Sequence, residues 1–579
     1  MKYFIGVALF MAFVLPRSLY AVVDTVNVPD YFETGGTEGT LNNAVTAAIN
    51  DGTLNNKVFK LKAYGLYVLT GEITVPVGKK LTIVANEPGS DQNSAPPQIA
   101  WSTSGTVTTT YNFNCFGDIS LKNIWLFYAT TSGNQTGTSL RIQDSPDTIN
   151  GQRATFEGCL FDYSQIGADA SGAISVTARH FRGTFTNCYF RNCSDRHFRY
   201  YGRAVSFPYQ STGWHTDSLK FVNCTFANMG YVIMQEGSEY TDFLSFNHCT
   251  FINTMMYVLE SPWWYWLSVT NSMFVNTFMF GDIGENNGNP EPGMFRIDSV
   301  SNFGFSPPFT DAQRHILLSH SAYVCEPWLV DWMAHNPYSD TASTLMDPKP
   351  APMLNQRTKM FFDTTVSGQK VWPFMNRQNL YDGVNPNLLL APSDIPAIKR
   401  FLYFKWTNNA DTNWAFDPGA SLAQSWPLPE NAKIGNATLR TAAMGGYPVG
   451  DLFHWDKTRY NSWKAQEATE KTQILYWLTN GITGVVERPG IPTEFALSQN
   501  YPNPFNPTTK IDYSIPQAGH ASMKIYNLLG QEVATLFDGE QKAGNYTVTF
   551  DAAKIATGIY FYKLQYGENS ITKKLVLMK

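Results

Sequence analysis

Four consecutive aromatic residues, Trp263-Trp264-Tyr265-Trp266, form the stretch of the chain best suited to binding a sugar. Aromatic rings offer large flat apolar faces, and Trp and Tyr add a polar group at the edge. The sequence therefore marks Trp263, Trp264 and Trp266 as candidate carbohydrate-binding residues. The same run also suits burial in a core or cover for the edge of one, and both interpretations stay open.

A second group of residues with chemical potential is charged. Its members are His180, Arg182, Asp195, Arg196, Arg199 and Arg203, followed by Glu236, Glu239, Asp242 and Glu260. Charged residues are mostly exposed and solvated, so a surface role is the simplest interpretation of the group. No Asp-Asp doublet of the kind that an inverting glycosidase needs occurs in the chain. Asp282 and the run 285–289 could offer oxygen ligands to Ca²⁺, but without EF-hand spacing they are interpreted as a loop.

Composition narrows the class of protein. The net charge is -5 and no basic stripe is visible, which makes nucleic acid an improbable partner. Charged residues and aromatic residues each make up 15% of the chain, a balance typical of an extracellular, β-rich protein. At 579 residues, the chain is long enough for about three or four domains.

The N-terminus, residues 1–21, has the pattern of a signal peptide. Lys2 is a minimal charged region, residues 5–15 are apolar, and Leu19-Tyr20-Ala21 offers a small residue for cleavage. An apolar run of this length is too short to span a bilayer, which takes about twenty residues. We therefore expect an exported protein with no transmembrane segment in the mature chain.

Within residues 22–300, a short pattern recurs between residues 121 and 274: an apolar residue, any residue, Asn or a similar residue, Cys or an apolar residue, any residue, and an apolar residue. The third position of each copy is Asn123, Gly158, Asn187, Asn223, His248 and Asn271. In a single straight strand, Phe185 and Phe190 would face opposite sides, yet both are large and apolar. A bend at Asn187 brings them to one side, because Asn tolerates the left-handed region. Each copy is therefore predicted to be a strand, a corner and a second strand.

The shortest spacing, 23 residues from His248 to Asn271, matches one turn of a parallel β-helix, and longer spacings add loops. The repeat resembles the right-handed parallel β-helix of pectate lyases and related secreted proteins. Lyases of this fold use Arg or Lys as a base beside carboxylates that hold Ca²⁺ or neutralise a uronate. This resemblance makes Arg182, Arg196, Arg199 and Arg203 the catalytic candidates and Ca²⁺ the one cofactor to consider.

The positions of the cysteines indicate packing within the repeat rather than a metal-binding role. Cys159, Cys188, Cys224 and Cys249 share one repeat position and are predicted to stack as buried thiols. Cys188 and Cys193 could instead pair across a turn. No CxxC pair or group of histidines accompanies the cysteines, so the sequence predicts no metal site there.

Residues 301–484 lose the repeat and are rich in Pro and Trp. They are interpreted as a flanking domain or as irregular chain wrapped on the solenoid, with a helix near residues 461–479. Pro448-Val449-Gly450-Asp451-Leu452 is similar to a segment in other secreted β-helix proteins and implies no chemistry. Residues 485–494 are interpreted as a linker.

The tail, residues 495–579, alternates short strands with turn residues and predicts a small antiparallel β-sandwich of about seven strands. Its sequence resembles the type A C-terminal sorting domain of the type IX secretion system. The resemblance rests on residues 500–509, 525–533, 558–562 and 573–579. The positions taken as its sorting motif are Pro502, Asn503, Pro504, Gly530, Gly558, Tyr560, Lys573 and Lys574.

That family implies passage through the periplasm, recognition of the tail by the secretion machinery, and attachment to surface lipopolysaccharide or release. For the passenger, the sequence favours a non-catalytic surface, adhesive or carbohydrate-binding protein. A polysaccharide lyase or glycoside hydrolase and a structural subunit of a surface layer or filament remain alternatives.

Overall fold

The structure is a computed structural model that describes residues 23–578 with internal gaps. The gaps are 103–110, 137–138, 146–150, 165–171, 195–201, 208–214, 236–239, 257, 261–263, 281–292, 303–306, 336–349, 368, 405–411, 418–424, 483–484 and 489–494. The predicted signal peptide lies outside the described residues.

Parallel strands wind into a three-faced solenoid, as the repeat predicts. Face 1 comprises Asp24–Asn27, Lys57–Lys60, Lys80–Val84, Asp118–Lys122, Arg153–Glu157, Phe181–Thr186, His215–Val222, Tyr240–Asn247, Trp264–Thr270, His315–Val324 and Met375–Asp382. Face 2 comprises Leu66–Leu69, Gln98–Trp101, Trp125–Thr130, Leu160–Asp162, Tyr189–Arg191, Thr225–Met229, Thr250–Thr254 and Met273–Thr277. Face 3 comprises Ile73–Val75, Tyr111–Cys115, Ser139–Gln143, Ile174–Thr177, Arg203–Phe207, Tyr231–Gln235 and Leu259–Glu260.

The corner between faces 1 and 2 confirms the predicted bend. All six predicted corner residues have positive φ angles, between 50° at Asn223 and 61° at Gly158. Phenylalanines on both sides of the corner consequently point inward and stack from coil to coil. The Phe161–Phe190 ring centroids are 4.3 Å apart and the Phe251–Phe274 centroids are 4.5 Å apart. Such offset aromatic contacts add to the burial of apolar area that holds neighbouring coils together.

The predicted thiol ladder is also present. Each thiol donates to a carbonyl of the preceding coil, from Cys188 to Phe156 O at 3.4 Å and from Cys224 to Phe185 O at 3.5 Å. Burial raises the pKa of the Cys188 and Cys249 thiols well above the ordinary value. The alternative Cys188–Cys193 disulfide does not form, because the two residues lie at opposite ends of the strand Tyr189–Arg191 and both are free.

A second asparagine ladder marks the corner between faces 2 and 3 and was not predicted. Its members Asn192, Asn228, Asn253 and Asn276 have φ angles between 51° and 59°. The Asn253 side chain donates to Asn228 Oδ1 at 3.0 Å, and the Asn276 side chain donates to Asn253 Oδ1 at 3.1 Å. Buried amide groups thus satisfy one another along the axis of the solenoid.

The solenoid extends beyond residue 300, the predicted end of the β-helix. The strand His315–Val324 continues from face 1 onto face 2, because its first half pairs with Trp264–Thr270 and its second half pairs with Met273–Thr277. Met375–Asp382 pairs with His315–Val324 across both halves. Seven helices accompany the strands among the described residues. They are α1 (Thr40–Asn50), α2 (Pro327–His335), α3 (Gln356–Asp363), α4 (Ile395–Tyr403), α5 (Leu452–Trp455), α6 (Lys457–Lys464) and α7 (Glu467–Asn480). The single helix predicted near 461–479 is therefore two helices, α6 and α7.

Most described residues of 384–455, together called the wrapped segment, lie along the outside of face 2, whereas α7 packs on Phe243 and Trp266 of face 1. The apolar side chains of the wrapped segment pack on outward-facing residues of face 2, such as Ile252 and Val275. Backbone hydrogen bonds attach the Pro448–Leu452 segment to the solenoid. Gly450 donates from its backbone N–H to Asn271 O at 2.6 Å, and Asp451 N–H donates to Thr250 Oγ1 at 2.8 Å.

The tail folds as two four-stranded antiparallel sheets around its own core. One sheet comprises Val485–Arg488, Ala496–Leu497, Thr508–Ile515 and Gly544–Asp551, and the other comprises Gly519–Tyr526, Glu532–Gln541, Gly558–Tyr566 and Asn569–Leu577. The seven strands from residue 496 onward agree with the predicted sandwich. The predicted linker begins with an eighth strand, since Val485–Arg488 pairs with residues 545–548.

Candidate functional site

The described charged candidates fall into two places, since His180, Arg182 and Asp242 lie near Asp217 on face 1, whereas Arg203 lies on face 3. Arg182 is on the outside of face 1, where its Nε donates to Asp217 Oδ2 at 2.8 Å. Arg203 is only 1% exposed on face 3, which keeps it away from a polymer at the surface. Arg196 and Arg199 lie outside the described residues, as do Asp195, Glu236 and Glu239. The loop proposed for Ca²⁺, residues 282 and 285–289, also falls outside them.

Within the aromatic run, Trp264 is buried and Tyr265 and Trp266 are half-buried. Trp264 is 3% exposed and belongs to the solenoid core. Trp266 stacks on His315 with ring centroids 3.9 Å apart and packs beside Trp477 of α7. Tyr265 stacks on Phe309 at 4.8 Å. Trp263 lies outside the described residues, so the part of the run that can be placed contributes to packing.

A different aromatic surface does form a cleft. It has a volume of about 400 Å³ and lies between face 2 and the wrapped segment. Its apolar lining includes Leu160, Tyr189, Trp426, Phe453 and Trp455. The two indoles are held by hydrogen bonds, since Trp426 Nε1 donates to Gly89 O and Trp455 Nε1 donates to Thr225 Oγ1, each at 2.8 Å. The rings are therefore fixed in orientation rather than free to collapse into the cleft.

Polar groups line one side of this cleft. His454 Nδ1 lies 2.5 Å from Asp451 Oδ2, and the imidazole ring is about 20% exposed. Asp451 also accepts from Thr225 Oγ1 at 2.7 Å, which fixes the carboxylate against face 2. Lys457 Nζ lies 3.7 Å from the Phe453 ring centroid and 2.7 Å from Glu87 Oε1. The cleft thus combines rigid aromatic faces with hydrogen-bonding groups that include a lysine and a glutamate.

A buried ion cluster supports the cleft from beneath. Glu430 Oε1 accepts from Arg191 Nη1 at 2.6 Å and from the Tyr189 hydroxyl at 2.9 Å. Arg191 Nε also donates to Asp162 Oδ1 at 3.2 Å. Burial raises the pKa of Asp162 to about 7, against the lowering effect of Arg191. Because Glu430 comes from the wrapped segment and Arg191 from face 2, this cluster fastens one wall of the cleft to the other.

Sequence reasoning missed this cleft because its walls are far apart in the chain. Tyr189 and Glu430, for example, are separated by 241 residues. The only local signals were the frequent Trp and Pro residues of 301–484 and the Pro448–Leu452 segment, and neither indicated a partner.

The proposed sorting residues occupy two parts of the tail. Asn503 Oδ1 accepts from Val576 N–H at 2.9 Å, and Asn503 Nδ2 donates to Lys574 O at 3.3 Å, so the Pro502-Asn503-Pro504 loop is bound to the last strand. Gly530 has a φ angle of 78° in the turn after Gly519–Tyr526. Gly558, Tyr560, Lys573 and Lys574 lie on the final hairpin, where Gly558 pairs with Leu577.

Exposed apolar side chains accompany these residues. Tyr501 is 82% exposed, and Leu529, beside Gly530, is 83% exposed. Both belong to the segments on which the resemblance to a sorting domain rests. A small folded module thus displays large apolar groups at loops, a feature common at interaction sites.

In the described part of the chain, no helix has the length and apolar character required to cross a membrane. No match to the chain was found among curated proteins or among solved structures. Residues 499–578 match the family model described as "secretion system C-terminal sorting domain". The chain therefore carries a type IX sorting tail behind a parallel β-helix passenger, and it is exported to the cell surface or the extracellular space.

Proposed function

We propose that the exported passenger is a non-catalytic carbohydrate-binding protein. The observation that carries the proposal is the aromatic cleft between face 2 and the wrapped segment. Its volume of about 400 Å³ lies within the range of about 300–1,000 Å³ that small-molecule sites occupy. Trp426 and Trp455 offer fixed apolar faces for sugar rings, and His454, Glu87 and Lys457 offer hydrogen bonds to hydroxyl groups.

Export supports a saccharide as the ligand. A protein outside the cell meets polysaccharides of the cell's own surface, of other cells and of the surroundings. The cleft has few charged groups, and Lys457 is already paired with Glu87. A largely neutral saccharide therefore fits the lining better than a highly charged polymer does.

The test is a titration of the purified secreted chain with a panel of oligosaccharides, in which binding is measured by tryptophan fluorescence. For the saccharide that binds, W426A and W455A are each expected to weaken affinity by about tenfold or more, a loss of about 1.4 kcal/mol. W328A is the matched control, because Trp328 is also half-buried and donates its indole N–H to Glu326, but does not line the cleft. Equal affinity of all three variants would overturn the proposal.

A polysaccharide lyase or hydrolase is the second candidate, and the Asp451–His454 pair favours it. A histidine oriented by a carboxylate can serve as a general acid or base. The test is incubation with uronate polymers and with neutral glycans. Absorbance of unsaturated ends reports lyase activity, and release of reducing ends reports hydrolase activity. Turnover that is lost in H454Q but kept in W328A would establish the enzyme, and absence of turnover on every polymer would favour the binding protein.

A further inference from the structure

A cluster on the outside of face 1 brings two imidazoles and a carboxylate together. His180 directly precedes the strand Phe181–Thr186, and His215 and Asp217 are the first and third residues of the next strand on this face. The ligand atoms of all three residues lie within 4.8 Å of one another. His180 Nδ1 is 2.9 Å and His215 Nε2 is 3.7 Å from Asp217 Oδ1.

We propose that His180, His215 and Asp217 bind one divalent transition-metal ion of the Zn²⁺ class. Imidazole nitrogen and carboxylate oxygen are the ligands that Zn²⁺ takes, at about 2.0–2.2 Å. Ligand atoms at such distances in a tetrahedral arrangement lie a little over 3 Å apart, which falls between the two separations observed here. Small side-chain rotations thus suffice to seat an ion.

The surroundings orient the ligands as the outer shell of a metal site does. Arg182 Nε and Nη2 both approach Asp217 Oδ2, at 2.8 Å and 2.6 Å, which leaves Oδ1 to face the two imidazoles. The His215 ring stacks on Tyr240 at 5.0 Å and 12°, which limits its rotation. Partners that fix a ligand in this way raise metal affinity, because less freedom is lost on binding.

The backbone holds the histidines in place as well. His180 has a φ angle of 56°, and its N–H donates to His215 O at 3.1 Å. A residue other than glycine in this region is uncommon, although histidine is enriched there. Consecutive coils of the solenoid therefore present the two rings from a rigid frame, with ring centroids 4.4 Å apart.

Charge also favours a cation. Asp242 is on the following coil, with its Oδ2 3.6 Å from His215 Nε2, and adds a second carboxylate beside this imidazole. Arg182 is paired with Asp217 and Arg179 with Asp144. Arg153 lies beside Arg182 on the preceding coil, where its backbone N–H donates to Asp118 Oδ1 at 2.8 Å. Four carboxylates thus accompany three arginines, and these side chains sum to one negative charge.

The experiment uses the full secreted chain after treatment with a chelator. Titration calorimetry with ZnCl₂ is expected to show one site per chain, and H180A and H215A should each weaken it by about tenfold or more. Titration with CoCl₂ should give visible absorption bands that disappear in the same variants. The matched control is H335A, because His335 also lies near a carboxylate, 3.1 Å from Asp331, but has no third ligand in the described residues.

Circular dichroism of each variant verifies the fold, and H180Q and H215Q repeat the test if an alanine variant unfolds. Absence of Zn²⁺ binding in the wild-type chain would overturn the proposal. Binding that H180A and H215A leave unchanged would overturn it as well, because the ion would then lie elsewhere. Failure of this test leaves carbohydrate binding untouched, since none of the three ligands lines the aromatic cleft.

Discussion

Asp162 is a single carboxyl group whose protonation depends on the wrapped segment. It is fully buried beside Arg191, and Glu430 of the wrapped segment binds the same guanidinium. Burial raises the pKa of Asp162 to about 7. The folded protein consequently holds this proton more tightly than the unfolded chain does, whose Asp pKa is about 3.9.

The raised pKa of Asp162 makes the stability of the passenger depend on pH. Between about pH 4 and about pH 7, the folded state binds a proton that the unfolded state lacks, so the Asp162 contribution to stability falls as the pH rises. The decrease is at most about 1.4 kcal/mol per pH unit. Asp162→Asn is expected to flatten the pH profile of the unfolding free energy, measured by urea titration. Parallel profiles for the variant and the wild type would contradict the expectation.

Residue patterns predicted only one of the two asparagine corners of the solenoid. Asn187 was identified because apolar residues on both sides of it required a change of direction. Asn192 is not placed between apolar residues in this way, since Arg191 precedes it and Cys193 follows it. The signal was present in a weaker form, because an asparagine recurs five residues after the corner in four consecutive copies of the repeat.

At the scale of elements, long insertions hide the last coils. His320 and Asn379 have φ angles of 51° and 48°, so both continue the corner of faces 1 and 2. They follow Asn271 by 49 and 108 residues, respectively, whereas a single coil takes as few as 23. A repeat search that depends on spacing therefore fails here, although the strands and the corner persist.

The docking of the wrapped segment depends on the close approach of Gly450 to face 2. A Cβ atom on Gly450 would lie 2.5 Å from Thr250 Oγ1 and 3.3 Å from Met273 Cβ, and the φ angle there is 83°. Gly450→Ala is therefore expected to lift the segment from face 2 and to destabilise the passenger.

Gly446→Ala provides the matched control for this substitution. Gly446 has a similar φ angle of 76°, but a Cβ atom there would meet nothing within 4 Å. Both variants carry the cost of an alanine at positive φ, and only Gly450→Ala adds a collision with packed atoms. We expect Gly450→Ala to cost about 1–3 kcal/mol more than Gly446→Ala in urea unfolding. Equal losses would show that the close approach is unimportant.

At the scale of the whole molecule, the passenger and the tail differ in how their strands pair and where their cores lie. The passenger stacks parallel coils whose partners are neighbours along one axis, whereas the tail closes two antiparallel sheets around a separate core. The sequence predicted both folds, since each has a local periodicity. It did not predict the cleft or the His180–His215–Asp217 cluster, because these depend on which coils and segments become neighbours.

The first strand of the tail should be essential for its full stability. Four residue pairs join Val485–Arg488 to the strand Gly544–Asp551. A fragment of residues 485–579 is expected to be more stable than one of residues 489–579 by about 2 kcal/mol, the net value of a few hydrogen bonds. Thermal unfolding by circular dichroism makes the comparison. If both fragments unfold at the same temperature, the strand contributes nothing to the module.

The last step of export, release from the cell envelope, should depend on this module. A chain that ends at residue 484 keeps the solenoid, the cleft and the wrapped helices. We expect it to fold and to remain inside the cell envelope, which immunoblotting of cell and medium fractions would show. Its appearance in the medium at the wild-type level would contradict the assignment of the tail.

The strand Val485–Arg488 belongs to the tail by its pairing and to the passenger by its place in the chain. A protease that cuts between residues 489 and 494 would sever the covalent connection while the backbone pairing still joined the two halves. Departure of the passenger would then require the strand to be withdrawn, and the tail would be left with a bare sheet edge. Scission and separation are consequently two events, and the second can be the slower.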